Sequence, residues 1–189
     1  MQITQTSIPD VKLILPRKFG DDRGYFFESY NARTASDQGI EIVFVQDNQS
    51  YSAAKGTVRG LHFQSPPHAQ DKLVRCTRGS IFDVAVDVRR GSPTYGHWVG
   101  ETLSAENLHQ LLVPKGFLHG FMTLEEDCEV QYKCSDVYAP ECDGAVSFDD
   151  PDIGIAWPLD PADATLSQKD AAAPSFAEFQ SPFSLKDNS

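Results

Sequence analysis

Short stretches in which apolar and polar residues alternate are the feature that most constrains the fold of this chain. Residues 81–88, with the sequence IFDVAVDV, place the apolar even-numbered side chains on one face and Asp83 and Asp87 on the other. Similar runs, separated by turn clusters at 78–80 and 90–93, occupy residues 42–48, 72–77, 97–103, 109–113, 120–124, 129–134 and 145–148. Many short strands at this spacing predict an all-β sandwich or barrel.

Helical patterns are few and short. They are confined to residues 32–38, a turn near 104–107 and another turn after Ser167, which argues against alternating strands and helices. A chain of 189 residues has the length of one domain, so we expect residues 1–189 to form a single unit. The tail from about residue 158 is expected to pack on the barrel as an extension.

Charge and cysteine content exclude several classes of protein. A net charge of -11 argues against a nucleic-acid partner, and any phosphate ligand must be bound by a few local arginines and lysines. The sequence has neither a signal-like N-terminus nor a membrane-length apolar run, so we expect a cytoplasmic protein with no membrane partner. The four cysteines form no C-x-x-C pair and are interpreted as reduced thiols.

The segment RGLHFQ, residues 59–64, has the densest set of chemically capable side chains. In an extended strand His62 and Gln64 share one face, whereas Arg59 points to the other. Arg59 joins His62 only if the strand contains a bulge, for which Gly60 is the suitable position. The alternative is a surface strand with a chance histidine. As a base, His62 suits proton transfer because imidazoles titrate near neutral pH.

A base of this kind needs an orienting carboxylate and an acid opposite it. Asp170 is a candidate for the carboxylate, although Ser167 and Asp170 also form an S-x-x-D capping box that opens a helix. Tyr132 is a candidate for the acid. It shares a strand face with Val130 and Cys134, which directs its ring to the apolar interior, where a tyrosine is also an ordinary core residue.

Two segments resemble the metal-binding cupins, a superfamily of jelly-roll barrels. Gly56 and His62 have the spacing of the first cupin motif, and residues 114–119 (PKGFLH) fit the second. However, Gln64 replaces the second histidine, and no glutamate follows at the right distance. Two imidazoles alone make a poor site for a divalent ion. We therefore expect a jelly-roll barrel with no metal and no other cofactor.

The motifs together resemble the dTDP-4-dehydrorhamnose 3,5-epimerase family, from Ile8 to about Asp170. The resemblance depends on several independent segments in the family's order, namely residues 19–28 (FGDDRGYFFE), 44–48 (FVQDN), 59–62 (RGLH), 72–75 (KLVR), 82–87 (FDVAVD), 114–121 (PKGFLHGF) and 166–170 (LSQKD). It implies an all-β jelly-roll (cupin-like) barrel of antiparallel strands with a few short peripheral helices.

The resemblance also implies catalytic roles. His62 resembles the base that removes the proton beside the sugar ketone, with Asp170 as its partner. Tyr132 resembles the acid that returns a proton from the opposite face. Lys72 resembles the lysine that stabilises the enolate oxygen. The implied reaction inverts C3 and C5 of dTDP-4-dehydro-6-deoxy-D-glucose in dTDP-L-rhamnose biosynthesis.

Further positions match the family's substrate contacts. Arg23 and Arg59 resemble the residues that hold the diphosphate, and Tyr138 resembles the aromatic residue that stacks on thymine. The other implied contacts are Glu28, Gln46, Asn48, Lys72, His119, Lys169 and, where a glutamate is expected, Asp143. The family resemblance further implies a homodimer in which N-terminal strands lend residues to the neighbouring site.

Three departures and three alternatives accompany this interpretation. Phe63 replaces an expected tyrosine, residues 49–51 (QSY) differ from the family's usual sequence, and Asp143 is shorter than the expected glutamate. The first alternative is an epimerase that inverts one centre only, which would use the same base, acid and lysine. The others are a sugar-nucleotide-binding jelly roll without catalysis and a metal-dependent cupin oxygenase.

Overall fold

The computed structural model describes residues 1–185, which form thirteen strands and a few short helices. The helices are α1 (Ala32–Ser36) and α2 (Gln168–Ala171), with two 3-10 turns at Pro140–Cys142 and Pro161–Asp163. The strands are β1 (Gln2–Gln5), β2 (Lys12–Leu15), β3 (Lys18–Asp21), β4 (Gly24–Phe27), β5 (Gln46–Ser52), β6 (Val58–Gln64), β7 (Lys72–Arg78), β8 (Ser80–Asp87), β9 (Trp98–Ser104), β10 (Gln110–Val113), β11 (Phe117–Thr123), β12 (Cys128–Cys134) and β13 (Asp143–Ala145).

The strands form two facing sheets and a separate hairpin. The six-stranded sheet has the order β1-β2-β10-β7-β12-β5, the five-stranded sheet has the order β13-β6-β11-β8-β9, and β3 pairs with β4. All of these strand pairs are antiparallel. The predicted all-β class is therefore confirmed. Within residues 1–185, none of the helices has the length and apolar character needed to cross a bilayer.

The apolar core lies in three clusters that follow the alternation of the strands. One cluster fills the space between the sheets, with Val74 of β7 and Leu111 of β10 on one side and Phe121 of β11 on the other. A second covers the outer face of the five-stranded sheet, and a third joins α1 to the outer face of the six-stranded sheet. Alternation therefore distributes apolar side chains to both faces of each sheet.

Strand β8 has apolar residues on its outer face and carboxylates on its inner face. Val84 and Val86 belong to the outer cluster, whereas Ile81 and Ala85 belong to the cluster between the sheets. Asp83 alternates with the latter pair and is fully buried. The outer face is apolar because the C-terminal tail covers it. Leu159, Leu166, Phe176, Phe179 and Phe183 of the tail pack in that cluster, and residues 186–189 of the predicted extension lie outside the described residues.

Several element boundaries differ from the sequence prediction. The strand expected at 42–48 begins at Gln46, because Ile42 and Phe44 pack against the cluster at α1 and have no strand partner. The strand expected at 145–148 is Asp143–Ala145, where β6 supplies the partner. Strand β11 begins at Phe117, earlier than the expected residue 120. The alternation identified apolar faces correctly, but the strand limits depend on where a neighbouring strand is available.

The bulge considered for Gly60 is present. His119 pairs with His62, but Phe121 pairs with Arg59, so β6 has one residue more than β11 between these pairs. Gly60 has φ of 138°, and a Cβ there would lie 2.5 Å from the Cα of Gly120. Only glycine fits this conformation and this close approach. Because of the bulge, Arg59 lies on the same side of the sheet as His62, whereas simple alternation would place it on the opposite side.

Replacing Gly60 with alanine should destabilise the fold by about 3 kcal/mol or more, since backbone strain and overpacking act together. The measurement is denaturant unfolding monitored by circular dichroism. A matched control is Gly91→Ala, because Gly91 also has a positive φ (84°) but a Cβ there meets no atom within 4 Å. We expect a loss of about 1 kcal/mol for the control. Equal losses in the two variants would contradict the close-approach explanation.

Candidate active site

A cavity of about 360 Å³ opens between the inner faces of the two sheets. Its walls come from β5, β6, β7, β11 and β12, and the segment leading into α2 closes one side. The lining residues are Ser50, Thr57, Val58, Arg59, His62, Lys72, His119, Phe121, Tyr132, Thr165, Leu166, Ser167 and Asp170. The predicted base, its carboxylate partner, the predicted acid and the predicted enolate-stabilising lysine therefore share one cavity.

His62 and Asp170 form a close pair although they are far apart in sequence. The Nε2 atom of His62 lies 2.5 Å from Oδ1 of Asp170, whose side chain is only 4% exposed. Burial raises the pKa of Asp170, but hydrogen bonds from His62 and Ser167 outweigh burial and hold that pKa below its ordinary value. The carboxylate is thus anionic at neutral pH. It orients the imidazole and stabilises a positive charge on it.

Ser167 explains how Asp170 is held. Its Oγ accepts a hydrogen bond from the Asp170 backbone N–H at 3.1 Å and donates one to Asp170 Oδ2 at 2.8 Å. Ser167 is also the N-cap of α2. The capping-box interpretation is confirmed and is compatible with the predicted role of Asp170, because the cap fixes the backbone that presents the carboxylate.

Tyr132 and Lys72 lie on the two neighbouring strands β12 and β7. Tyr132 packs against the core between the sheets, as its alternation with Val130 predicted. Burial raises the pKa of Tyr132, so the phenol keeps its proton at neutral pH. Burial lowers the pKa of Lys72, while the neighbouring Cys134, Asp83 and Asp143 oppose this shift. The cavity thus contains a protonated phenol and a desolvated amine.

Arg59 and His119 complete the polar lining on the five-stranded sheet. The bulge brings Arg59 to the same cavity as His62, and its guanidinium donates to Ser52 Oγ at 3.2 Å and to the carbonyl oxygen of Tyr51 at 2.8 Å. His119 is held by Asp83, with 2.9 Å between its Nε2 and Asp83 Oδ1. A permanent cation and two imidazoles therefore line one wall.

The remaining predicted contacts form a hydrogen-bonded group beyond the residues that line the cavity. Gln46 donates to Asn48 at 3.0 Å, and its Oε1 accepts from the backbone N–H of Tyr138 at 2.9 Å. Lys169 forms an ion pair with Asp143, whose carboxylate also accepts from the Tyr138 hydroxyl at 3.4 Å. The Tyr138 side chain is exposed, as a platform for a planar base must be.

Comparison with protein-family models identifies the family to which this chain is similar. The model for dTDP-4-dehydrorhamnose 3,5-epimerase matches residues 5–178. The chain belongs to the dTDP-4-dehydrorhamnose 3,5-epimerase family. A dTDP-4-dehydrorhamnose 3,5-epimerase from Sinorhizobium fredii is 54% identical over 183 residues, which cover 97% of this chain and 93% of that protein. The resemblance proposed from the sequence motifs is confirmed.

Solved structures of epimerases have the same fold. That of dTDP-6-deoxy-D-glucose-3,5-epimerase from Legionella pneumophila, in complex with dTDP-4-keto-L-rhamnose, has a TM-score of 0.90 and 47% identity and covers 95% of this chain and 94% of its own. A 3'-monoepimerase from Streptomyces bikiniensis, in complex with dTDP-quinovose, has a TM-score of 0.84 and 35% identity, with coverages of 92% and 87%. The jelly-roll (cupin-like) barrel is therefore confirmed, and the family fold serves both double and single epimerases.

Arg23 and Glu28, two of the family-type contacts, do not reach the cavity of their own chain. Arg23 lies at the turn of the β3–β4 hairpin, with a side chain 90% exposed and paired to Asp21. Glu28 accepts a hydrogen bond from Asn31 near α1. The hairpin also exposes Phe26. A role for Arg23 and Glu28 in substrate binding remains a prediction.

Sequence reasoning overlooked two polar residues near the centre of this epimerase. Ser50 lines the cavity, and its Oγ is buried without a hydrogen-bond partner among residues 1–185. Oδ2 of Asp83 is likewise buried and has no hydrogen-bond partner in the described part of the chain. Alternation with Asn48 along β5 could have identified Ser50. No sequence signal showed that the carboxylate face of β8 is the interior face, since that depends on what covers the other side.

The side-chain amide of Gln64 forms hydrogen bonds with backbone groups. Its amide donates to the carbonyl oxygens of His68 and Val137, at 2.7 and 3.1 Å, and accepts from the N–H of Ala139 at 2.9 Å. Within residues 1–185, no three histidine, cysteine or acidic side chains are grouped so that they could hold a metal ion. The donor set of this epimerase does not match the cupin metal motif, and the expectation of metal-free chemistry stays a prediction.

The three departures from the family pattern lie in different environments. Phe63 packs edge to face against Phe179 and Phe183 of the tail, away from the cavity. Gln49 and Tyr51 are exposed positions of β5. Asp143 retains an ion pair with Lys169 despite its shorter side chain. None of these changes removes the predicted base, the predicted acid or Lys72.

Proposed function

We propose that this chain inverts both C3 and C5 of dTDP-4-dehydro-6-deoxy-D-glucose, next to the C4 ketone, and so supplies dTDP-L-rhamnose biosynthesis. The observation that carries this proposal is the presence of His62, Tyr132 and Lys72 in one cavity of about 360 Å³. Inversion beside a ketone needs a base on one face of the sugar, an acid on the other and a group that stabilises the enolate.

The proposed cycle begins when His62 removes the proton from the carbon beside the ketone. Because Asp170 occupies Nε2, Nδ1 is the nitrogen that accepts this proton, and the carboxylate stabilises the resulting imidazolium. The electron pair of the broken C–H bond moves to the ketone oxygen, where the ammonium of Lys72 stabilises the enolate. Tyr132 then gives its proton to the opposite face of the carbon. Exchange with solvent removes the proton from His62 and returns one to Tyr132.

Substrate binding is assigned to the cations and polar groups around the cavity. We assign the diphosphate to Arg59, a rim contact to Lys169 and stacking on thymine to Tyr138. His119, Gln46, Asn48 and Asp143 are the further contacts of this chain. Local cations of this kind allow a protein with a net charge of -11 to bind an anionic substrate.

A homodimer is part of the proposal. Arg23 and Glu28 do not line the cavity of their own chain, and Arg23 lies on an exposed hairpin with apolar residues such as Phe26. A second copy would allow the hairpin to bring Arg23 to the neighbouring diphosphate site. Exposed aromatic residues of this kind favour contact with another protein surface.

Two further expectations accompany the function. We assign the enzyme to the cytoplasm, because its four cysteines are all free thiols, as in reducing compartments. We also treat residues 1–189 as one domain. The packing of tail residues such as Phe176 and Phe183 against the outer face of the five-stranded sheet supports this assignment.

The experiment is turnover of the keto-sugar nucleotide in heavy water, with the product analysed by NMR. We expect deuterium at both C3 and C5, because each proton is removed by His62 and replaced from solvent-exchanged Tyr132. Deuterium at one carbon would instead identify a single-site epimerase, as in the monoepimerase relative. Absence of deuterium would overturn the enzymatic proposal and leave a binding protein. Activity that disappears with chelation of one zinc or iron per chain would favour the metal-dependent alternative.

A further inference from the structure

Asp83 is a buried carboxylate to which the proposed reaction assigns no role. It lies on the inner face of β8 and is fully inaccessible to solvent. Its Oδ1 is 2.9 Å from Nε2 of His119, whereas Oδ2 is buried and has no hydrogen-bond partner among residues 1–185. A buried carboxyl group with an unsatisfied oxygen is costly in a protein interior, which points to a role for Asp83 beyond packing.

His119 connects Asp83 to the proposed base. His119 and His62 are direct partners in the register of β11 and β6, and both line the cavity. Side chains directly opposite in an antiparallel pair have Cβ atoms about 5 Å apart. A hydrogen bond from the His119 Nε2–H to Asp83 fixes the orientation of the His119 ring next to His62. Asp83 does not line the cavity itself, but it restrains His119, which does.

Lys72 connects Asp83 to the enolate. Burial lowers the pKa of Lys72, whereas the neighbouring Cys134, Asp83 and Asp143 act against that change and Lys169 adds to it. Burial raises the pKa of the Cys134 thiol, so this group is uncharged at neutral pH. Asp143 is neutralised by its ion pair with Lys169, whose side chain is 48% exposed. Within residues 1–185, no lysine or arginine pairs with Asp83, and full burial leaves a charge at this position weakly screened.

We propose that Asp83 is a positioning residue of this cavity, which holds His119 beside His62 and supplies the fixed negative charge that keeps Lys72 an ammonium during turnover. The proposal rests on the proposed epimerase function. Lys72 can stabilise the enolate only while it carries its proton. In a desolvated cavity with Arg59 on the opposite sheet, that proton needs a nearby anion that the substrate does not displace.

The direct test is Asp83→Asn, which removes the charge and preserves the size of the side chain. The amide oxygen can still accept from His119, so the ring keeps its partner. We expect kcat to fall by about 10- to 100-fold with KM changed less than about threefold, since the lost charge acts on the enolate and not on substrate binding.

The pH profile separates this role from a merely structural one. The Asp83 charge raises the pKa of Lys72, so its removal must lower that pKa. The alkaline limb of kcat/KM, where Lys72 loses its proton, should therefore move to lower pH in Asp83→Asn. The other titratable or charged groups facing Lys72 are unchanged in this variant: Arg59, His62, His119, Tyr132, Cys134, Asp143, Lys169 and Asp170.

Asp150→Asn is the matched control. Asp150 is also a buried carboxylate, but its oxygens accept from the backbone N–H groups of Asp152 and Phe176 outside the cavity. We expect its alkaline limb to stay at the wild-type position. The proposal would be overturned if Asp83→Asn still bound dTDP, as measured by calorimetry, and the alkaline limb of its kcat/KM profile stayed at the wild-type pH.

A measurement on the unaltered protein covers the case in which Asp83→Asn does not fold. NMR of the Lys72 side-chain nitrogen should show an ammonium at the pH of maximal kcat/KM, and a neutral amine there would also overturn the proposal. These outcomes differ from failure of the proposed function, which would appear as absence of deuterium incorporation by the wild-type enzyme.

Discussion

Replacing His62 with asparagine should lower kcat for epimerisation by about a thousandfold or more while dTDP still binds, because general-base catalysis contributes about 10²- to 10⁴-fold. The asparagine amide ends where the imidazole has Nδ1 and does not reach the Nε2 position, so the 2.5 Å pair is lost while Asp170 keeps its hydrogen bond from Ser167. The amide cannot accept a proton at neutral pH. We expect neither inversion nor deuterium incorporation, measured by NMR of the sugar carbons in heavy water.

His68→Asn is the matched control for this prediction. His68 also pairs with a carboxylate, at 3.2 Å from Asp136, but both side chains are about one-third exposed, and His68 does not line the cavity. The control should retain wild-type kcat. Deuterium incorporation by His62→Asn at the wild-type rate would show that another group removes the proton.

Replacing Tyr132 with phenylalanine should lower the rate of inversion by about 100-fold or more, because the proton donor on the second face is lost. Removal of the proton by His62 and stabilisation of the enolate by Lys72 remain available. Return of a solvent-derived proton from His62 then restores the original configuration with deuterium in place. We therefore expect deuterium exchange into the substrate to exceed inversion, measured in one NMR experiment that reports both. The ring keeps its packing against the core between the sheets.

Tyr95→Phe controls for the loss of a tyrosine hydroxyl. Tyr95 packs against Phe176 of the tail, with 5.7 Å between ring centroids, and lies outside the cavity. Its rate of inversion should equal that of the wild type. A Tyr132→Phe variant whose inversion and exchange fall by the same factor would place Tyr132 in proton removal or binding rather than in the final protonation.

The fold class was predictable because alternation is a local property of the chain. Residues 72–77, 81–88 and 129–134 alternate and form strands β7, β8 and β12 within one residue at each end. Residues 42–45 also alternate but form no strand, because Ile42 and Phe44 pack at α1 instead. A strand needs a partner as well as a pattern, and the partner is chosen by the whole fold.

The candidate site was predictable for side chains embedded in several family motifs. His62, Asp170, Tyr132 and Lys72 were identified in this way, and the structure brings them to one cavity. Simple alternation along β6 placed Arg59 on the face opposite His62. Arg59 reaches the cavity only because of the bulge at Gly60. Arg23 and Glu28 were equally well matched as motifs but lie away from the cavity of their own chain.

By itself the sequence determined the all-β class and the family and supplied the candidate catalytic side chains, because alternation, motif spacing and residue chemistry are local properties of the chain. Only the tertiary structure decided which side of each strand is the interior. Asp83 lies on the inner face of its sheet because Phe176, Phe179 and Phe183 cover the opposite face. His62 meets Asp170 because the tail returns to the barrel, a contact across 108 residues that local pattern cannot specify. Long-range packing sets the facing of each strand, since apolar burial is a property of all the surfaces that meet and not of any one segment.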